Sequence, residues 1–321
     1  VGHSLRIVAR IRTAPRRAVN GGRALAFAVA LIPGAALAAD CTPAAQADVA
    51  LRPAGVLWIA PVTVDGRAAS LLMDTGAERS VLNAAAPARL GLPPSAWTST
   101  SLLGIGGVER HVDAEVAALT LGGAAMGRRL GPVRSLPVMS TAPAMARGIA
   151  IDGLLGADLL AAHDVELSGG HLLLHEIGAC AGRRLPWATA SVPMLQASPG
   201  AIVVPVQVAG VTFRALLDTG AEISLIGTRA AARLPAQSGP HGPDMSGQAQ
   251  GIGRETLAMR AHDYGAPVLG GLTLASGPLW VANLPTPAFD MVLGMDRLSG
   301  LRLWLAYAGA QVFAGPGALT R

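Results

Sequence analysis

Lysine is absent from these 321 residues: all 25 basic side chains are arginine. Aromatic residues are nearly as scarce, with five tryptophans, four phenylalanines and two tyrosines. So few rings in no recurring motif leave little to stack on bases, which argues against single-stranded nucleic acid as a partner. Only two cysteines are present, enough for one disulfide. No G-x-S-x-G elbow, P-loop or H-E-x-x-H helix occurs. No apolar run reaches the ~20 residues that a membrane span needs. The formal charge of +5 is also uneven. Six arginines precede residue 40, and the first acid is Asp40. The remainder holds 19 arginines against 20 acids, a net charge of −1, so nothing in it suggests binding to a polyanion.

The first 39 residues combine an arginine-rich stretch, the apolar run Ala24 to Ile32 and an A-x-A site at Ala36-Leu37-Ala38. That order predicts a secretory signal peptide over 1–39, with no stable membrane anchor after cleavage and an exported product, periplasmic or secreted. An uncleaved anchor is the alternative, but the uncharged stretch is short for it. In an oxidising compartment Cys41 and Cys180 are expected to pair, closing a loop worth about 4–5 kcal/mol in the chain-entropy view. The alternative is two buried free thiols.

What is present is a duplication. Offset by 144 positions, Pro61–Leu90 and Pro205–Leu234 agree at fifteen of thirty positions without a gap. The shared positions include the block Asp74-Thr75-Gly76-Ala77-Glu78 against Asp218-Thr219-Gly220-Ala221-Glu222. Downstream, Gly104-Ile105-Gly106-Gly107 matches Gly251-Ile252-Gly253, and Leu154-Leu155-Gly156 matches Val292-Leu293-Gly294. A period this long marks a duplicated domain, not a solenoid. The expected organisation is an N-terminal lobe at 44–182, a linker at 183–195 and a C-terminal lobe at 196–316.

Both lobes read as β. Val62–Val64 leads into Asp65-Gly66, suited to a type I′ turn, and the chain returns through Ala69–Met73; Ala209-Gly210 does the same in the second copy. Short helical stretches are expected at Ala84–Leu90, Thr228–Leu234 and Asp158–His163, and further hairpins at Val165–His175 and Leu301–Phe313. The fold class is therefore all-β, with two barrel-like lobes. Residues Arg129–Arg147, proline-bearing near their middle, have only a shorter counterpart and read as a surface loop or a specificity loop. His171 and His175, with His163 nearby, lie in a strand-turn-strand context and read as satisfied or exposed histidines, not metal ligands.

One Asp-Thr-Gly is unremarkable in a loop. Two at equivalent positions of paired lobes bring two carboxylates to one axis, where they share a proton and can activate a water. On these residues the chain resembles the retropepsin-like aspartic proteases, as a single-chain, two-lobed secreted bacterial member with its lobes related by a pseudo-twofold axis. The resemblance implies an aspartic endopeptidase with Asp74 and Asp218 as the catalytic pair. Thr75, Gly76, Ala77, Thr219, Gly220 and Ala221 would support the active-site loops. The tips Gly104, Ile105, Gly106 and Gly107, with Gly251, Ile252 and Gly253, would form substrate-binding flaps. Glu78 and Glu222 stand where retroviral enzymes carry an aspartate that contacts the substrate backbone. The late helices begin with Asp158 and Asp296 instead of the viral arginine, so a supporting salt bridge would be rebuilt from Arg79, with Ile223 at that place in the second lobe. No cofactor or metal is implied. The partner is a peptide or protein substrate, and the expected assembly is a monomer with pseudo-dimeric lobes. The competing expectation is a duplicated β protein that binds peptide or glycan in its cleft without cutting.

Overall fold

The computed structural model describes residues 39–104, 107–128, 131–140, 149–195, 200–235, 245–249 and 256–317. The expected signal peptide and the flap-tip residues Ile105, Gly106, Gly251, Ile252 and Gly253 lie outside the described residues.

Each half is built on the same local solution. Leu57–Val64 and Arg67–Met73 form an antiparallel hairpin, as do Val203–Val208 and Val211–Leu217. The turns carry positive φ at both central residues, 46° and 78° at Asp65-Gly66 and 46° and 80° at Ala209-Gly210. That is the type I′ geometry whose hand matches the strands it joins. The returning strand of each hairpin buries its last three residues, Leu71–Met73 and Ala215–Leu217, because it lies inside its sheet with neighbours on both edges. One neighbour is the hydrophobic segment from late in the same half. Gly153–Leu155 runs parallel to Arg67–Met73, and Met291–Leu293 runs parallel to Val211–Leu217. The Leu155 carbonyl accepts the Asp74 amide and the Leu293 carbonyl accepts the Asp218 amide, both at 3.0 Å. Each Asp-Thr-Gly loop thus leaves its sheet from a strand locked on both sides.

The halves meet in a six-stranded antiparallel sheet ordered 47–50, 171–175, 164–168, 301–306, 311–316, 190–193. Three strands come from each half, in mirrored order. The pseudo-twofold relation passes between the central pair, where Glu166 faces Trp304. The segment 183–195, expected as a linker, ends in the outer strand of this sheet, Ala190–Pro193. At the other edge Ala47–Ala50 pairs with His171–His175, and the Cys41–Cys180 disulfide fixes the chain before it.

The short helices fall at Ala86–Leu90, Ala157–Leu160, Thr228–Ala231 and Met295–Leu298. The hairpin expected to carry the first flap, Pro94–Gly104 with Gly107–Glu115, joins Ser135–Leu136 in a separate three-stranded sheet. The second, Ser246–Ala249 with Leu257–His262, continues the main sheet of its half through Leu279–Ala282.

The region 129–147 requires a correction. Its described residues are not a free loop: Ser135–Leu136 pairs with the flap, and Val138–Met139 runs parallel to Val81–Asn83. Leu279–Ala282 does the same to Leu225–Gly227 in the second half. Val138–Met139 is therefore a wall strand with a counterpart. Its two residues and flanking prolines hide it from a periodicity reading. No helix among the described residues is long and apolar enough to cross a membrane.

Candidate active site

Asp74 and Asp218 lie at the ends of equivalent strands, and their carboxyl groups are close enough for the Asp218 charge to act on Asp74. Beneath them the threonines bind crosswise. The Thr75 hydroxyl donates to the Leu217 carbonyl at 2.7 Å and accepts the Thr219 amide at 3.1 Å. The Thr219 hydroxyl donates to the Met73 carbonyl at 2.9 Å and accepts the Thr75 amide at 3.1 Å. Both threonines are buried, so these four bonds form out of water, where an unmade one would be costly.

The glycines set how closely the loops approach. A Cβ on Gly76 would stand 2.3 Å from the Asp218 carboxyl carbon, and one on Gly220 would stand 2.4 Å from that of Asp74. Amides from the same loops hold the carboxylates: Ala77 donates to Asp74 at 2.8 Å, and Gly220 and Ala221 donate to Asp218 at 2.8 and 3.1 Å. Burial pushes the Asp74 carboxyl well above the usual carboxylate range, and the neighbouring Asp218 charge pushes it further, against the Ala77 and Gly76 amides. Burial also raises Asp218, partly offset by the Gly220 amide, the bond from Asp74 and the Ala221 amide. Two such groups retain one proton between them over a range in which isolated carboxyls have lost theirs.

Two serines that the sequence reading passed over brace these loops. The buried Ser80 hydroxyl donates to Asp158 at 2.8 Å and accepts the Gly156 amide at 2.9 Å. In the second half Ser224 donates to Asp296 at 2.6 Å and accepts the Gly294 amide at 3.0 Å. Both serines lie six residues after their aspartate, inside the repeated block, and that identity is the signal that could have found them. Arg79 does reach Asp158, at 3.8 Å, but the closer cation is Arg128 at 3.0 Å, which also donates to the Ser135 carbonyl. In the second half Asp296 has Arg297 at 3.7 Å.

Glu78 and Glu222 are exposed beside the loops, and Gly104 and Gly107 close the rung nearest the first flap tip. The three histidines are drawn to the N-terminal segment. His163 meets the Gln46 side chain, His171 meets Asp48, and His175 meets the Ala44 carbonyl while facing Glu166.

A family profile described as aspartyl protease matches residues 60–159 and 204–297, one segment in each half. The chain belongs to the aspartyl protease family. Among solved structures this family member is similar to the aspartic proteinase from Irpex lacteus, with 14% sequence identity and a TM-score of 0.51. That match covers 85% of this chain and 98% of the other, and it bears on the fold. No curated protein sequence matches the chain. The fold is that of a duplicated, retropepsin-like aspartyl protease.

Proposed function

We propose that the protein is an aspartic endopeptidase in which Asp74 and Asp218 share one proton and activate a water between them. The observation that carries this reading is the pair of carboxyls brought together by the close approach of the two glycine loops and held over the threonine cross. The ionised member takes a proton from the water as it attacks the scissile carbonyl. The protonated member donates to the carbonyl oxygen, giving a neutral tetrahedral diol. Collapse of the diol returns a proton to the leaving nitrogen, so no covalent intermediate forms.

The other site residues take supporting roles in this proposal. Ala77 and Ala221 keep the space beside the carboxyls small and apolar. Glu78 and Glu222 present carboxylates to the backbone of an extended peptide, and the glycine-rich flap tips close over it. The protein acts on peptide or protein substrates as a monomer whose two halves each supply one aspartate. Export to the periplasm or the medium fits the disulfide, since such bonds persist in oxidising compartments.

The test is digestion of an unfolded protein substrate by the wild type beside Asp74→Asn and Asp218→Asn. Each substitution is expected to lower kcat by about 10²–10⁴-fold or more while the protein remains folded. Cleavage that survives either change overturns the two-aspartate mechanism.

A further inference from the structure

The two flaps stand over equal floors but present unequal walls. The floors are Val81 with Leu154 and Leu225 with Val292, all buried and paired in the same antiparallel register. In the second half, Ala249 faces Leu257 and Gly247 faces Met259 on the flap strands. Ala249, Leu257 and Met259 pack with Ile223, Trp280 and Phe289 in an apolar cluster that includes Ala221 of the Asp218 loop, and all of these but Met259 are partly exposed. Counted back from the tip glycine, the corresponding rungs of the first flap are Leu102 facing Glu109 and Thr100 facing His111. Arg79 stands where Ile223 does. Leucine is thus replaced by glutamate, methionine by histidine, isoleucine by arginine and glycine by threonine, while alanine is replaced by the buried Leu102.

Glu109 is fixed in place. It accepts the Ser140 amide at 3.1 Å and the Ser140 hydroxyl, His111 Nε2 lies 3.6 Å away, and its side chain is only 10% exposed. Beyond His111 on the same face, Asp113 accepts from Thr100 at 3.0 Å, and its other carboxylate oxygen is buried without a partner. An ionised carboxylate offers about four acceptor positions, so Glu109 can take a further donor. An apolar side chain pressed against it would strip water from the charge and return nothing.

We propose that the cleft is chemically one-sided: the pocket under the second flap takes a large apolar side chain, and the pocket under the first flap, walled by Glu109, takes a basic one. This deepens the protease reading and rests on it. Cleavage sites would then carry arginine or lysine on one flank of the scissile bond and an apolar residue on the other. Glu109 is the specificity-determining residue for the basic flank and Leu257 for the apolar flank.

A peptide library read by mass spectrometry tests this with the wild type, Glu109→Gln, Glu109→Leu and Leu257→Glu. The wild type is expected to prefer a basic over an apolar residue on one flank by about 10²-fold in kcat/KM, a ratio within reach of a wall built to hydrogen-bond. Glu109→Gln, which keeps the shape, should remove most of that ratio, and Glu109→Leu should reverse it. Both should leave the opposite flank as it was. Leu257→Glu should weaken only the apolar flank. A wild type that accepts apolar residues equally on both flanks, or Glu109→Gln with its basic preference intact, overturns this proposal and leaves the protease reading standing. A wild type that cuts no peptide overturns the protease reading itself.

Discussion

Gly76 and Asp218 come from opposite halves of the chain, yet a Cβ on the glycine would stand 2.3 Å from the aspartate's carboxyl carbon. The reciprocal pair, Gly220 and Asp74, has the same relationship at 2.4 Å. Each glycine is therefore the wall against which the other half's carboxyl rests.

Gly76→Ala and Gly220→Ala are expected to force the loops apart and lower kcat/KM by about 100-fold, the scale for a displacement near 1 Å at a reacting centre. Gly66→Ala supplies the contrast. That turn glycine sits at φ 78° with nothing within 4 Å of the added atom. It should cost about 1–2 kcal/mol of stability through its left-handed backbone and leave kcat/KM unchanged. Peptide cleavage and thermal unfolding of the three variants separate the two effects. Equal activity across all three would contradict the close approach.

The carboxyl pair makes stability and activity depend on pH in ways that can be separated. Both groups are raised in the folded protein, so their contribution is fully present below the ordinary carboxylate range and is lost as pH climbs through the folded values. Asp74→Asn should therefore unfold at a higher temperature than the wild type near neutrality, by about 2–4 °C for each kcal/mol of repulsion relieved. The difference should vanish in acid. In the wild type, kcat/KM should fall in acid as the ionised member gains its proton and fall again at higher pH as the shared proton leaves. A rate profile with a single limb would contradict a shared proton.

The threonine cross predicts coupling across the halves. Thr75→Val and Thr219→Val each strand a buried carbonyl and a buried amide of the opposite loop, at about 1–3 kcal/mol for each group left unpaired. The double variant should lose less than the sum, because both single changes break the same four-bond unit. Denaturant unfolding of the full cycle measures this. Strict additivity would show that the threonines act independently.

The duplication made the dyad, the hairpin turns and the two hydrophobic-hydrophobic-glycine segments legible, because each lies in a run that the chain repeats. Asp65-Gly66 and Ala209-Gly210 illustrate the physics: the turn type is set by two adjacent residues, so it survives without any knowledge of the rest of the molecule. Ser80 and Ser224 are also identical in that run, which marks the positions, but their role is not legible there. Their partners, Asp158 and Asp296, are more than seventy residues away in sequence. Arg128 lies thirty residues from Asp158 and outside the repeated run, so nothing in the sequence marked it, and the salt-bridge expectation fell on Arg79. Val138–Met139 was misread because a two-residue strand has no period, and only its parallel neighbour Val81–Asn83 reveals what it is.

The interlobe sheet has a mechanical consequence. Within it the halves touch through one strand pair, Val165–Leu167 against Leu303–Leu305, and at the cleft they are clasped by the threonine cross. Arg302 also donates to Glu166 across that seam, His175 rests on Trp304, and a single apolar core runs through both halves. Neither half is closed without the other: parting them would open that core and undo the threonine cross in the same step.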